Sequence, residues 1–164
     1  QVPAPGMPRK CVGHLSGRRR ITTIAYAAGV MAADSQATSG PRKFRVKKIH
    51  RVPGGGLLGI TGSMPDLLKI QKWAADGFPQ DAKPDLSDDG DVECLLVHAD
   101  GSIALFDSSL ELMAVQDKFI AIGSGGPYAV AAMACGLDPV QAVGIAARFD
   151  PYTSAPVKSE RLKK

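Results

Sequence analysis

Three groups of residues in this 164-residue sequence have types and settings that could do chemistry. Gly123-Ser124-Gly125-Gly126-Pro127 follows an apolar run and precedes a helical pattern. Such a turn exposes backbone N–H groups that can bind an anion at a helix start, and it serves equally well as a tight strand-to-helix connection with no ligand. Asp34 closes the apolar run Val30-Met31-Ala32-Ala33, an approach that would partly bury its carboxylate, although an aspartate ending a strand is ordinarily a turn former. Lys47 and Lys48 are neighbours in a strand-like stretch, so one side chain faces each way, and by default both heads reach solvent.

Other chemical inventories are thin. The sequence has no HExxH, no GxSxG and no GxxxxGK[ST]. His14 falls in an irregular leader, while His50 and His98 fit strand edges better than metal ligation, so Ser/His or Cys/His catalysis has little to stand on. Cys11, Cys94 and Cys135 are odd in number and far apart, which argues against a zinc or disulfide framework and for a reducing, cytoplasmic setting. Neither a metal nor a cofactor is expected.

The elements that must position these groups read as follows. Thr22–Ala27 and Val30–Ser35 form a hairpin about Ala28-Gly29. Phe44–Val52 is strand-like with a slip in phase, and Leu57–Thr61 is a buried strand after the turn Pro53–Gly56. Pro65 to Gly77 has the apolar spacing of an amphipathic helix. Residues 78–91, rich in Pro and Asp, form a surface loop. Val92–His98 and Ser102–Phe106 make a hairpin about Asp100-Gly101, and Leu110–Val115 and Phe119–Gly123 a further strand pair. Two helices follow, one from Pro127 to about Cys135, the other capped by Asp138 and running to Phe149. A short strand is placed near Val157. Strands, helix, strands and then helices indicate an α+β layered fold.

At 45 % hydrophobic and 22 % charged the chain is one domain, long enough to bury its own core. Its apolar runs fall short of the roughly 18 residues that suggest a membrane span. The net charge of +4 belongs to the ends. Residues 1–21 hold Arg9, Lys10, Arg18, Arg19 and Arg20 with no acid, residues 158–164 form a basic tail, and the stretch between is net acidic. The first 21 residues read as an unstructured leader, a propeptide or a cloning extension.

Five segments carry a family resemblance: Thr22-Thr23-Ile24-Ala25, then Gly29 to Gly40 with Ala33-Asp34-Ser35-Gln36-Ala37-Thr38, then Val46-Lys47-Lys48-Ile49, Gly59-Ile60-Thr61-Gly62, and Ala121-Ile122-Gly123-Ser124-Gly125-Gly126-Pro127-Tyr128-Ala129. In this order they resemble the HslV and proteasome β-subunit family over residues 22–157, the last segment being especially like HslV. The resemblance implies an N-terminal-nucleophile hydrolase, a four-layer αββα sandwich with two mostly antiparallel sheets between helices. It implies a threonine-type endopeptidase subunit of a self-compartmentalised ring or stack of rings. The substrate would be unfolded polypeptide and an ATP-dependent unfoldase a further partner. The site residues carried over are Thr22 as nucleophile, Asp34 and Lys48 as its polar partners, Gly62 as the oxyanion N–H and Ser124 as a hydrogen-bonding support, with Thr38, Arg45 and Ser63 around the substrate.

These residue types suit the chemistry. A terminal α-amino group has a pKa of roughly 7.7–8, so a threonine at the chain start carries hydroxyl and base on one residue and needs no histidine. The amine serves only once it is freed, which requires removal of residues 1–21. Three departures from the family stand out. Ile21 occupies a position where Gly or an initiator Met is usual, the loop from Gly77 to Val92 is shorter than in HslV, and counting back four residues from Tyr152-Thr153 lands on Arg148, with only Asp150 nearby. Ile21 and Arg148 favour the alternative of a non-cleaving structural subunit. The basic ends with Arg42–Arg51 define a second alternative, nucleic-acid binding, which the lack of aromatics among the terminal charges disfavours. No binding to duplex DNA is expected even at low salt; tight binding that falls steeply as salt rises would establish that alternative.

Overall fold

The first two strands owe their pairing to a two-residue turn. In a computed structural model, which describes residues 22–39, 41–87 and 91–163, strands β1 (Thr23–Ala27) and β2 (Val30–Asp34) are joined by Ala28 and Gly29, at φ 48° and 80°. Positive φ at both turn positions matches the natural twist of a hairpin. The leader assigned to residues 1–21 lies outside the described residues.

After β2 the chain makes a ribbon, β3 (Gln36–Ser39) and β4 (Arg42–Arg45), and then β5 (Ile49–Arg51), β6 (Leu57–Thr61) and helix α1 (Met64–Ala75). A 3-10 turn, Gln80–Ala82, interrupts the loop that follows. Strands β7 (Glu93–Val97), β8 (Ile103–Asp107), β9 (Met113–Val115) and β10 (Phe119–Gly123) precede helices α2 (Gly126–Ala134) and α3 (Pro139–Phe149) and the last strand, β11 (Val157–Arg161). The strands form a four-stranded sheet in the order β10-β1-β2-β11, a five-stranded sheet in the order β5-β6-β7-β8-β9, and the separate β3-β4 ribbon. Their pairings are antiparallel.

Strand parity distributes the core. Ile24, Tyr26, Met31 and Ala33 on one sheet meet Leu57, Leu95, Val97 and Ile103 on the other in one buried cluster. The alternate residues Ala25 and Ala32 pack with Ala129, Ala142, Val143 and Ala146 of α2 and α3. On the five-stranded sheet, Leu58, Ile60, Leu96 and Phe106 pack with Leu67, Ile70 and Trp73 of α1. The sheets approach closely at Gly59, where a Cβ would stand 2.8 Å from Ile24 Cγ2.

Capping fixes the helix starts. Ser63 accepts from Asp66 N at the head of α1, and Asp138 forms a reciprocal capping box with Gln141 at the head of α3. Each helix has a proline in its first turn, where the missing N–H costs no intrahelical bond.

Two expectations are corrected. Phe44–Val52 is not one strand: β4 ends at Arg45, residues 46–48 leave the ladder, and β5 starts at Ile49. The break lets the chain pass from the ribbon to the five-stranded sheet, with Val46 N–H on Ser35 O and Ile60 N–H on Lys48 O. Nor do residues 110–115 and 119–123 pair with each other. β9 adds to β8 while β10 adds to β1, so the link between them carries the chain from one sheet to the other. Among the described residues no helix is long and apolar enough to cross a membrane.

Leu95 is fully buried in the cluster between the sheets. Leu95→Ala is expected to lower unfolding free energy by about 2–5 kcal/mol in urea denaturation; a loss under about 0.5 kcal/mol would mean that the two sheets do not pack there as described.

Candidate active site

The site is built at the ends of strands. Asp34 closes β2 with 1 % of its surface exposed, held there by the apolar residues that precede it. Its Oδ1 accepts the Thr23 backbone N–H at 2.9 Å and the Lys48 ammonium at 2.9 Å, and its Oδ2 accepts the Gln36 N–H at 3.3 Å. Lys48 is buried because the chain leaves the ladder at 46–48 and turns this side chain inward, while Lys47 stays exposed. Burial pushes the Lys48 ammonium below its ordinary pKa, and the neighbouring Asp34 carboxylate, by charge and hydrogen bond, opposes that shift.

Thr22 immediately precedes β1 and is buried. Its carbonyl lies against Gly123, which takes φ +89°; a Cβ at that position would fall 2.0 Å from Thr22 O. Glycine is therefore required here both for the backbone angle and for the approach. The following residue, Ser124, places its hydroxyl 2.6 Å from Asp150 Oδ2 and 3.4 Å from Thr22 O.

Asp150 ends α3 at 5 % exposure and gathers a second network. Its Oδ2 also accepts from Thr153 Oγ1 at 2.5 Å, and Oδ1 accepts the Tyr152 N–H at 3.2 Å. Thr153 Oγ1 lies 2.6 Å from Thr23 Oγ1. An ionised carboxylate can only accept, so Thr153 spends its proton on Asp150 and Thr23 donates to Thr153. Gly125 sits against this chain without room for a side chain, since a Cβ would lie 2.1 Å from Thr23 Oγ1. The two carboxylates thus hold Thr23 from both sides, Asp34 by its N–H and Asp150 through Thr153 by its hydroxyl.

Of the residues singled out in the sequence, Thr22, Asp34, Lys48 and Ser124 converge on the start of β1. Gly62 follows β6 with φ +134° and an exposed backbone, resting on Val92 and Asp91. Arg45 lines a cavity of about 410 Å³ beside Asp34, Val46, Lys47 and Lys48. Thr38 pairs with Lys43 in the ribbon, and the Ser63 hydroxyl is engaged with Asp66 at 2.8 Å at the helix cap. Asp150 and Thr153 were not assigned from the sequence; the signal for Asp150 was its nearness to Tyr152-Thr153, hidden by a spacing of two residues rather than four. His50 lies in edge strand β5, where burial foremost and then Lys47 push its pKa down. Among the described residues no group of three or more His, Cys, Asp or Glu is placed to hold a metal ion.

No protein-family model matches the chain. The ATP-dependent protease subunit HslV of Pseudothermotoga lettingae is 32 % identical over 122 residues, covering 63 % of this chain and 68 % of that protein. HslV of Petrotoga mobilis is 33 % identical over 120 residues, with the same shares. Among solved structures, Thiobacillus denitrificans BPH superposes with a TM-score of 0.62 at 24 % identity, over 87 % of this chain and 98 % of that one. The eukaryotic HslV of Trypanosoma brucei gives 0.63 at 21 % identity, over 87 % and 99 %. These structures share the fold of this chain.

Because Lys48 titrates below its ordinary 10.5, the unfolded chain binds more protons there than the folded one between the lowered value and 10.5. Its contribution to stability therefore rises with pH through that window. Asp34→Asn removes the charge attraction that raises the Lys48 pKa and leaves only an amide oxygen to accept from it, so a lysine NMR titration is expected to show a further drop, with about 3–5 kcal/mol of stability lost. An unchanged titration would mean that the pair is not formed in solution.

Proposed function

The chain belongs to the HslV family of protease subunits, and from this premise we propose that it is a threonine-type endopeptidase acting through Thr22. The observation that carries the reading is the buried Asp34 carboxylate, at 2.9 Å from both Thr23 N–H and Lys48 Nζ, directly beside Thr22. An acidic and a basic group removed from water at a strand end, next to a threonine, are the parts an N-terminal nucleophile needs.

In the proposed reaction, residues 1–21 are removed and the Thr22 amine becomes free. That amine takes the proton of the Thr22 hydroxyl as the oxygen attacks the scissile carbonyl. The cationic Lys48 disfavours the ammonium form of the amine and so keeps it basic, while Asp34 holds the lysine head and the Thr23 N–H. The Gly62 N–H stabilises the tetrahedral oxyanion, a contribution worth about 2.7–4 kcal/mol for such a donor. Collapse passes the proton to the leaving amine and leaves an ester on Thr22, which water then hydrolyses with the same amine as base. Ser124 and Asp150 anchor the Gly123–Ser124 turn beside the Thr22 carbonyl. Arg45, Thr38 and Ser63 are assigned to the walls that meet the substrate side chains.

We read the fold as the four-layer αββα sandwich of N-terminal-nucleophile hydrolases. Support comes from the three apolar clusters, one between the sheets and one between each sheet and its helices. We place the peptidase domain over residues 22–157, as expected, and extend it through β11, because Val157–Arg161, which overlaps the expected basic tail at 158–164, pairs with β2 from Asp34 to Val30. The two relatives are named as ATP-dependent protease subunits, which supports a subunit that works in an ATP-dependent assembly; to this we add a ring of like subunits in the cytoplasm, an unfoldase partner and unfolded polypeptide as substrate. A second reading, a structural subunit that assembles without cleaving, draws on Ile21 standing before Thr22.

N-terminal sequencing of purified protein separates the two, a start at Thr22 being expected for the peptidase. Thr22→Ala is expected to abolish hydrolysis of a fluorogenic peptide with assembly retained, and turnover at the wild-type rate would exclude Thr22 as nucleophile. Lys48→Ala is expected to cost at least about 10²-fold in rate, the scale of a misplaced catalytic group, with Lys47→Ala near wild type. Equal losses would sink the assignment of Lys48.

A further inference from the structure

Glu93 is a further carboxylate that reaches the Gly123–Ser124 turn. It opens β7, in the middle of the five-stranded sheet, yet its carboxylate crosses to the other sheet and accepts the Gly123 backbone N–H at 3.1 Å through Oε2. Gly123 is the residue packed against the Thr22 carbonyl, and the next residue is Ser124. On its own sheet Glu93 is register partner to Thr61, whose hydroxyl donates to Glu93 O at 3.2 Å. Gly62 comes directly after Thr61 and lies over Asp91 and Val92, the two residues before Glu93. One residue therefore touches both sides of the gap that the proposed reaction requires, the Thr22–Ser124 side by its carboxylate and the Gly62 side by its backbone.

We infer that Glu93 is a positioning residue, an inter-sheet strap that sets the separation between the nucleophile at Thr22 and the oxyanion donor at Gly62. The inference rests on the proposed peptidase reading. Gly123, at φ +89°, is the last register pair of β10 with β1, and its N–H bonds to Glu93 on the other sheet. A carboxylate supplies a charge-assisted bond that fixes the turn more firmly than a neutral group would. Glu93 acts through Gly123, by its carboxylate, and through β6, by its backbone. An error of about 1 Å in such a separation costs about 10²-fold in rate.

The test compares Glu93→Ala with Glu93→Gln, whose side-chain oxygen still accepts from Gly123, in the assembled protein. Glu93→Ala is expected to lower kcat for a fluorogenic peptide by about 10- to 100-fold with KM within about threefold, and Glu93→Gln to restore most of the rate. Hydrogen exchange over residues 119–126 is expected to quicken in Glu93→Ala and to return towards wild type in Glu93→Gln. Where the alanine variant does not fold, Glu93→Met, similar in length and without an acceptor oxygen of that kind, replaces it. A wild-type kcat in the alanine or methionine variant, a loss confined to KM, or exchange identical to wild type would overturn the strap. Absence of hydrolysis in the unsubstituted, Thr22-started protein would instead overturn the peptidase reading, and exchange alone would then decide whether Glu93 holds the turn.

Discussion

A buried ion pair between Asp34 and Lys48 is the interaction on which the arrangement of the site depends. Both side chains are almost wholly removed from water, at 0 % and 3 % exposure. Withdrawing each charge from water costs several kcal/mol, and the attraction between them offsets that only when geometry is good and remaining lone pairs are occupied. Here the carboxylate is filled by the Thr23 and Gln36 backbone N–H groups as well as by the ammonium. Asp34 thereby ties three separate pieces of chain, the start of β1, the exit from β2 and the 46–48 break, into one rigid corner. Such a pair contributes little net stability compared with an apolar replacement; what it supplies is a fixed direction for the lysine head.

The rest of the fold serves this corner from outside. Alternation in β1 and β2 sends Ile24 and Met31 toward the other sheet and Ala25 and Ala32 toward α2 and α3. The small alanines let the helices come close, so the end of α3 reaches Thr23 through Asp150 and Thr153. On the other face, the glycine at position 59 lets the sheets close without displacing Ile24. Bulk and its absence thus decide distance, and the polar groups at the strand ends inherit it.

Much of this was legible in the sequence where the signal is local. The Ala28-Gly29 turn, the Asp138 cap and the buried strand Leu57–Thr61 follow from dihedral preference, capping chemistry and a short apolar run bounded by a turn. Non-local choices were not legible. Alternation reports that 119–123 is a strand but not which strand it joins, so its pairing with β1 across the chain could not be read from its neighbour at 110–115. Lys48 sits among Lys47, Arg45 and Lys43, and its local setting reads as solvated; only Asp34, fourteen positions earlier, makes its burial tolerable. Asp150 escaped a spacing count because α3 ends in an extended residue, at φ −93° and ψ 117°, which turns the carboxylate back beneath Ser124.

The last strand adds a constraint of timing. β11 pairs with β2, Val157 standing opposite Asp34, and the hydroxyl that receives Thr23 belongs to Thr153. The corner at the front of the chain is therefore finished only by residues near its back. A polypeptide emerging from the ribosome carries Thr22 long before the pieces that orient it, and contacts so distant in sequence form late in folding. Under the proposed peptidase reading, the groups around Thr22 would come together only once the whole chain has folded.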